Sequence, residues 1–175
     1  MELKELLNLL QENKMEYFDE FYEQTKKQVF YMVYSITRDY DVSEDLLQEV
    51  YLKALRYKNR INPNKNILSY LMQIAKTISL NYIKKNSRID YVEESSFKDE
   101  SSSYLDCNVT RDVKEAMAKV LNDSEYQVVI LHVINELTHK EISKILNKPI
   151  GTITWMYQNA IKKIRKELGY DRKEN

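Results

Sequence analysis

Two glycines and two prolines in 175 residues leave this chain few ways to turn tightly. Hairpins and barrels need a turn every eight to twelve residues, and those turns draw on glycine, proline and asparagine. Apolar residues instead recur at spacings of three and four almost throughout, which is the period of a buried helix face. The expected fold class is therefore all-α. The single cysteine, Cys107, excludes an internal disulfide and fits a reducing compartment. The opening stretch MELKELLNLLQENK is mixed in charge and has no apolar core, so neither a signal peptide nor an anchor is expected. No apolar run reaches the roughly 18–20 residues of a membrane span. The expectation is a soluble, cytoplasmic protein without membrane insertion.

The 27 basic and 27 acidic side chains cancel, so only their distribution is informative. Residues 61–88 hold Lys65, Lys76, Lys84, Lys85 and Arg88 with no acid. Residues 89–113 reverse the sign, with Asp90, Glu93, Glu94, Asp99, Glu100, Asp106 and Asp112 against Lys98 and Arg111. Residues 138–168 are basic again. The acidic block is rich in serine and lacks helical period, so residues 88–110 read as a flexible linker. It separates a helical domain at 1–87 from one at 111–175.

In the first domain, Tyr17, Phe18, Phe21, Tyr22, Val29, Phe30, Met32, Val33 and Ile36 mark one long apolar face. A second helix, capped by Asp41 or Ser43, carries the stripe Leu46, Leu47, Val50, Leu52, Ala54 and Leu55. Beside that stripe stand Asp41, Glu44, Asp45, Gln48 and Glu49. Such charges are either a solvated face or a partner's docking surface. Pro63 breaks the chain in the loop NRINPNKN. The next helix directs Ile67, Leu68, Leu71, Ile74, Ala75, Ile78, Leu80 and Ile83 inward. It interleaves Tyr70, Gln73, Lys76, Asn81, Tyr82, Lys84 and Lys85, which are either core tyrosine with solvated lysine or a platform for single-stranded nucleic acid.

The second domain reads as helices over Val113–Leu121, Ser124–Asn135, Thr138–Leu146 and Pro149–Leu168. The segment LTHKEISKILNKPIGTITWMYQNAIKKI has the pattern of a helix-turn-helix. Thr138 and Glu141 form a capping box, and Asn147 suits a left-handed turn. Ile150, Ile153, Tyr157, Ala160, Ile161, Ile164 and Leu168 form the inner stripe of the last helix. Thr154, Trp155, Gln158, Asn159, Lys162, Arg165 and Lys166 share its outward face. Gln158 and Asn159 are the residue types that pair with adenine edges. Thr152, Lys162, Lys163 and Arg165 suit phosphates, and Trp155 suits either a groove or a protein partner. A plain helical hairpin is the competing description.

No catalytic constellation is legible. His132 and His139 lack spaced cysteine or acid partners, and no metal or cofactor motif is present. Non-enzymatic activity without a cofactor is expected.

The order of these features resembles a known family. FDEFYEQTKKQVFYMVYSITRDYDVSEDLLQEVYLKAL followed by SYLMQIAKTISLNYIKKNSR is similar to domain two of bacterial extracytoplasmic-function sigma factors. SEYQVVILHVINELTHKEISKILNKPIGTITWMYQNAIKKIRKEL is similar to their domain four. The resemblance implies that core RNA polymerase docks on Asp45, Leu46, Gln48 and Glu49. It implies reading and opening of the −10 promoter element by Asn59, Arg60, Asn62, Asn64, Lys65, Asn66, Tyr70, Gln73, Lys76, Lys84 and Lys85. Contacts to −35 DNA would fall to Thr138, Lys140, Thr152, Thr154, Trp155, Gln158, Asn159, Lys162, Lys163 and Arg165. An anti-sigma factor is a further expected partner. The chain departs from the pattern at Asn122 and Asp123, where leucine-proline is usual, and at Tyr70, where tryptophan is common. It also carries Thr154, Trp155, Met156, Gln158 and Asn159 in place of the usual basic cluster. A helix-turn-helix regulator acting without polymerase is the alternative reading, and a pure interaction module the third.

Overall fold

The computed structural model describes residues 1–86 and 110–170. Among these are eight α-helices, two short 3-10 turns and no strand. They divide into two compact units, α1–α4 and α5–α8, each with its own core. The expected linker at 88–110 lies outside the described residues except for Thr110, which precedes the first helix of the second unit.

The first unit comprises α1 (Leu3–Gln11), α2 (Phe18–Thr37), α3 (Tyr40–Arg56) and α4 (Ile67–Asn86). Five consecutive residues of α2, Val29 to Val33, are fully buried. A helix that is apolar all round must be enclosed, and α2 is packed by α1, α3 and α4. Leu6, Leu7 and Leu10 of α1 are inaccessible to solvent, at about 1.5–3 kcal/mol each for full burial. The cap of α3 is Asp39, whose carboxylate accepts from the Val42 amide at 3.0 Å, and not Asp41 or Ser43 as expected. Ser43 is buried and its hydroxyl bonds Thr37 at 2.7 Å. Arg38, with φ 54°, ends α2 and lets α3 begin two residues later.

The second unit comprises α5 (Arg111–Val120), α6 (Asp123–Val133), α7 (His139–Leu146) and α8 (Ile150–Glu167). α8 packs against each of the other three. Asn122 is a working N-cap: its side chain accepts from the Glu125 amide at 2.9 Å, and Glu125 accepts from the Asn122 amide at 3.1 Å. The departure at this position thus replaces a helix-starting proline with a capping box. α8 ends as its sequence predicts. Gly169 takes φ 78°, its amide reaches the Lys166 carbonyl, and the Tyr170 amide reaches Arg165, closing a Schellman motif.

Candidate functional site

Three surfaces stand out, two on the first unit and one on the second. On α3, Asp41, Asp45, Gln48, Glu49 and Leu52 are all exposed, while Leu46, Leu47, Val50, Tyr51 and Ala54 are buried. Spacings of three and four place the exposed set on one strip of the helix. The sequence misplaces three members of this surface. Leu46, read as part of the apolar stripe and by resemblance as a docking residue, is 6% exposed and belongs to the core. Leu52, expected in the core, is 68% exposed. Glu44 is half-buried and accepts from the Tyr40 hydroxyl at 2.6 Å. The strip is therefore acidic with one large apolar side chain in the open.

The second surface is the loop from Tyr57 to Asn66 and the helix that follows it. Ile61 is buried and anchors the loop. Asn59, Arg60, Asn62, Asn64, Lys65 and Asn66 are exposed around it. The Arg60 guanidinium lies 5.1 Å from the centre of the Tyr57 ring. Asn62 accepts from the Asn64 amide at 2.9 Å, and Asn66 from the Ser69 amide at 2.8 Å, so both asparagines shape the backbone. Gln73, Lys84 and Lys85 are exposed on α4, and Tyr70 and Lys76 are half-buried. Leu80 and Ile83, expected inward, are each 39% exposed.

One residue of this surface carried no signal in the sequence. Gln11, at the end of α1, donates to the carbonyls of Lys58 at 2.8 Å and Ile61 at 2.9 Å. The Lys58 ammonium in turn donates to Asn13 at 2.8 Å. The loop is thereby pinned to α1 across 47 and 50 residues of chain.

The third surface is the helix-turn-helix of α7 and α8. Asn147 adopts the left-handed conformation between them (φ 54°, ψ 49°), as its residue type predicts. The Ser143 hydroxyl donates to the Lys148 carbonyl at 2.6 Å and closes the turn. On α8, Trp155 is 62% exposed, and Gln158, Lys162, Arg165 and Lys166 are exposed with it. Lys140 is exposed on α7 and Thr152 half-buried on α8. Ile150, expected in the inner stripe, is exposed.

Four residues expected to contact −35 DNA are committed to the protein. The Thr138 hydroxyl donates to Glu141 at 2.7 Å within the capping box. The Thr154 hydroxyl bonds His139 Nδ1 at 3.1 Å. Asn159 donates its side-chain amide to Glu125, and Lys163 donates to both Glu125 oxygens at 2.8 Å. Glu125 is the cause of the last two. It is a fully buried carboxylate and requires compensating donors. Burial alone raises a carboxyl's pKa, but the bonds from Lys163, the Asn122 amide and Asn159 outweigh it and hold Glu125 below its usual range. The Glu141 carboxyl is likewise held low by Thr138.

His132, His139 and Tyr157 meet where α6, α7 and α8 converge, with ring centres 4.6 to 5.2 Å apart. His132 Nδ1 bonds the Leu137 carbonyl at 2.8 Å, so this histidine is the satisfied structural one its apolar setting suggests. His139 Nε2 is buried with no hydrogen-bond partner. Burial, with His132 alongside, lowers its pKa.

Two family models match the units separately: Sigma-70 region 2 over residues 21–89 and Sigma-70, region 4 over residues 118–166. The chain is 26% identical over 133 residues to the ECF RNA polymerase sigma factor SigM of Bacillus subtilis, covering 74% of this chain and 81% of SigM. It is 26% identical over 156 residues to SigK of Mycobacterium tuberculosis, covering 85% and 83% respectively. The chain belongs to the extracytoplasmic-function sigma factors. The sigma factor RpoE of Bartonella quintana, solved with the anti-sigma factor NepR, has the same fold at a TM-score of 0.74 and 21% identity over 89% of this chain and 98% of RpoE. CnrH, solved with the cytosolic domain of CnrY, gives 0.66 at 12% identity over 96% and 97%.

As a sigma factor, the protein directs RNA polymerase to promoters and is a transcription initiation factor. Among the described residues no helix is long and apolar enough to cross a membrane. Region 2 covers the α3 strip and the loop, and region 4 covers the helix-turn-helix; α1 lies outside both.

Proposed function

We propose that residues 1–87 and 111–175 act as separate modules on polymerase and promoter, joined by 88–110. The α3 strip docks core RNA polymerase through Asp45, Gln48 and Glu49, with Leu52 as its apolar centre. The observation that carries this reading is the strip itself: acids at helical spacing around an open leucine, beside a buried apolar stripe. Interface energy concentrates in such apolar anchors, while surrounding charges steer the encounter.

The loop from Asn59 to Asn66 takes an unpaired −10 base. Tyr70, Gln73, Lys76, Lys84 and Lys85 hold the backbone of the opened strand. α8 lies in the −35 major groove with Trp155 and Gln158 toward base edges. Lys140, Thr152, Lys162 and Arg165 face phosphates. The protein works in the cytoplasm, has no catalytic activity of its own and needs no cofactor. RpoE, solved with the anti-sigma factor NepR, supports an anti-sigma factor as a further partner.

The test is core binding by charge-reversed chains. Asp45→Lys and Glu49→Lys should each weaken assembly with core polymerase, more at low salt than at high. Undiminished assembly at low salt refutes the α3 assignment.

A further inference from the structure

We infer that Glu125 sets the reading face of the recognition helix by withdrawing Asn159 and Lys163 from DNA. Asn159 and Lys163 are of the types that read adenine and grip phosphate. They lie on the same helix as Gln158 and Lys162, which face solvent. What separates the two pairs is one buried carboxylate on α6. Glu125 is 2% exposed, and its four side-chain bonds come from the Asn122 amide, Asn159 and, twice, Lys163. The two α8 donors are four residues apart, so one inward turn of the helix delivers both.

The consequence is electrostatic as well as steric. Lys163 is 38% exposed, yet its charge is already matched by a carboxylate. A cation so paired releases no counterion when DNA binds, so Lys163 adds nothing to the salt dependence, whereas Lys162 does. Glu125 is thus a positioning residue. It acts on specificity through Asn159 and on affinity through Lys163, without touching DNA. This inference rests on the reading of α8 as the −35 helix.

The variant Glu125→Gln separates this role from simple support. Glutamine preserves the capping bond from the Asn122 amide, since capping boxes accept either side chain. It removes the charge that holds Lys163. Holoenzyme reconstituted with core polymerase is measured on duplexes randomised at −35, and on the selected duplex across a salt series. The native chain selects a −35 sequence. Glu125→Gln steepens the slope of log affinity against log salt by about 0.9, the value of one added phosphate contact. It also alters base preference at one or two −35 positions. The double variant Glu125→Gln/Lys163→Gln restores the native slope. Loss of support alone lowers affinity without changing the slope.

Asn159→Ala in the otherwise native chain leaves the buried charge in place and provides a second readout, with −35 selection unchanged. An unaltered slope and preference in folded Glu125→Gln overturn the inference. An altered −35 selection in Asn159→Ala does so independently of how Glu125→Gln folds. Failure of native holoenzyme to select any −35 sequence overturns the reading of α8 and this inference with it.

Discussion

The opposite placement of two leucines six residues apart is the sharpest consequence of the α3 geometry. Leu46 is 6% exposed in the first unit's core, and Leu52 is 68% exposed on the strip. Leu46→Ala removes a packed side chain and leaves a cavity, at about 2–5 kcal/mol. For a domain of this size that lowers the unfolding temperature by roughly 10 °C or more. Leu52→Ala removes a side chain already in water and leaves the unfolding temperature within a degree or two. Its effect is on assembly. Full burial of leucine is worth about 1.5–3 kcal/mol, and about two-thirds of that remains to be gained at an interface. The loss is therefore roughly 1–2 kcal/mol, or about 5- to 30-fold in the dissociation constant for core polymerase. Circular dichroism melts give the first quantity, and competition against a labelled sigma factor for core enzyme gives the second. Leu52→Ala that binds core enzyme like the native chain refutes the reasoning. So does Leu46→Ala that melts like it.

Two further perturbations follow from contacts within the units. Gln11→Ala frees the carbonyls of Lys58 and Ile61, costs about 1–3 kcal/mol of local stability, and slows promoter opening more than it weakens core binding. Permanganate reactivity of −10 thymines in the holoenzyme complex measures the opening, and equal losses in both assays contradict a bracing role. The second unit loses stability as pH falls below 6.5, because His139 has a folded pKa below that ordinary value and the unfolded chain takes up the proton first. Glu125 and Glu141, held below their ordinary 4.5, lose their contribution only under that pH. Melts between pH 7.5 and 5 should fall for the native chain and flatten for His139→Gln; parallel curves contradict this.

The fold was legible because helix signals here are local. Scarce glycine and proline, the Thr138–Glu141 box, Asn147 and Gly169 each dictate backbone geometry within a few residues. The helices of the second unit fall within a few residues of their expected bounds for that reason. Side-chain commitments between helices were not legible. A helical wheel places Asn159 outward because it knows only α8; Glu125, 34 residues earlier, turns it in. A hydrophobic stripe places Leu52 inward because leucine usually is, and only the packing of α2 and α4 decides which leucines of α3 the core accepts. Gln11 carries no pattern at all, since its partners are backbone carbonyls that any sequence supplies. Asn122 and Glu125 hold the spacing of a capping box, and it starts α6 at Asp123, one residue before the expected Ser124.

Transcription from a randomised promoter library by core polymerase, with and without this protein, measures promoter selection itself. Transcripts are expected only from the reconstituted holoenzyme, starting downstream of one enriched pair of −35 and −10 sequences. Sequence-specific protection of duplex DNA by the protein alone, with no polymerase-dependent transcript from any library member, would contradict this expectation.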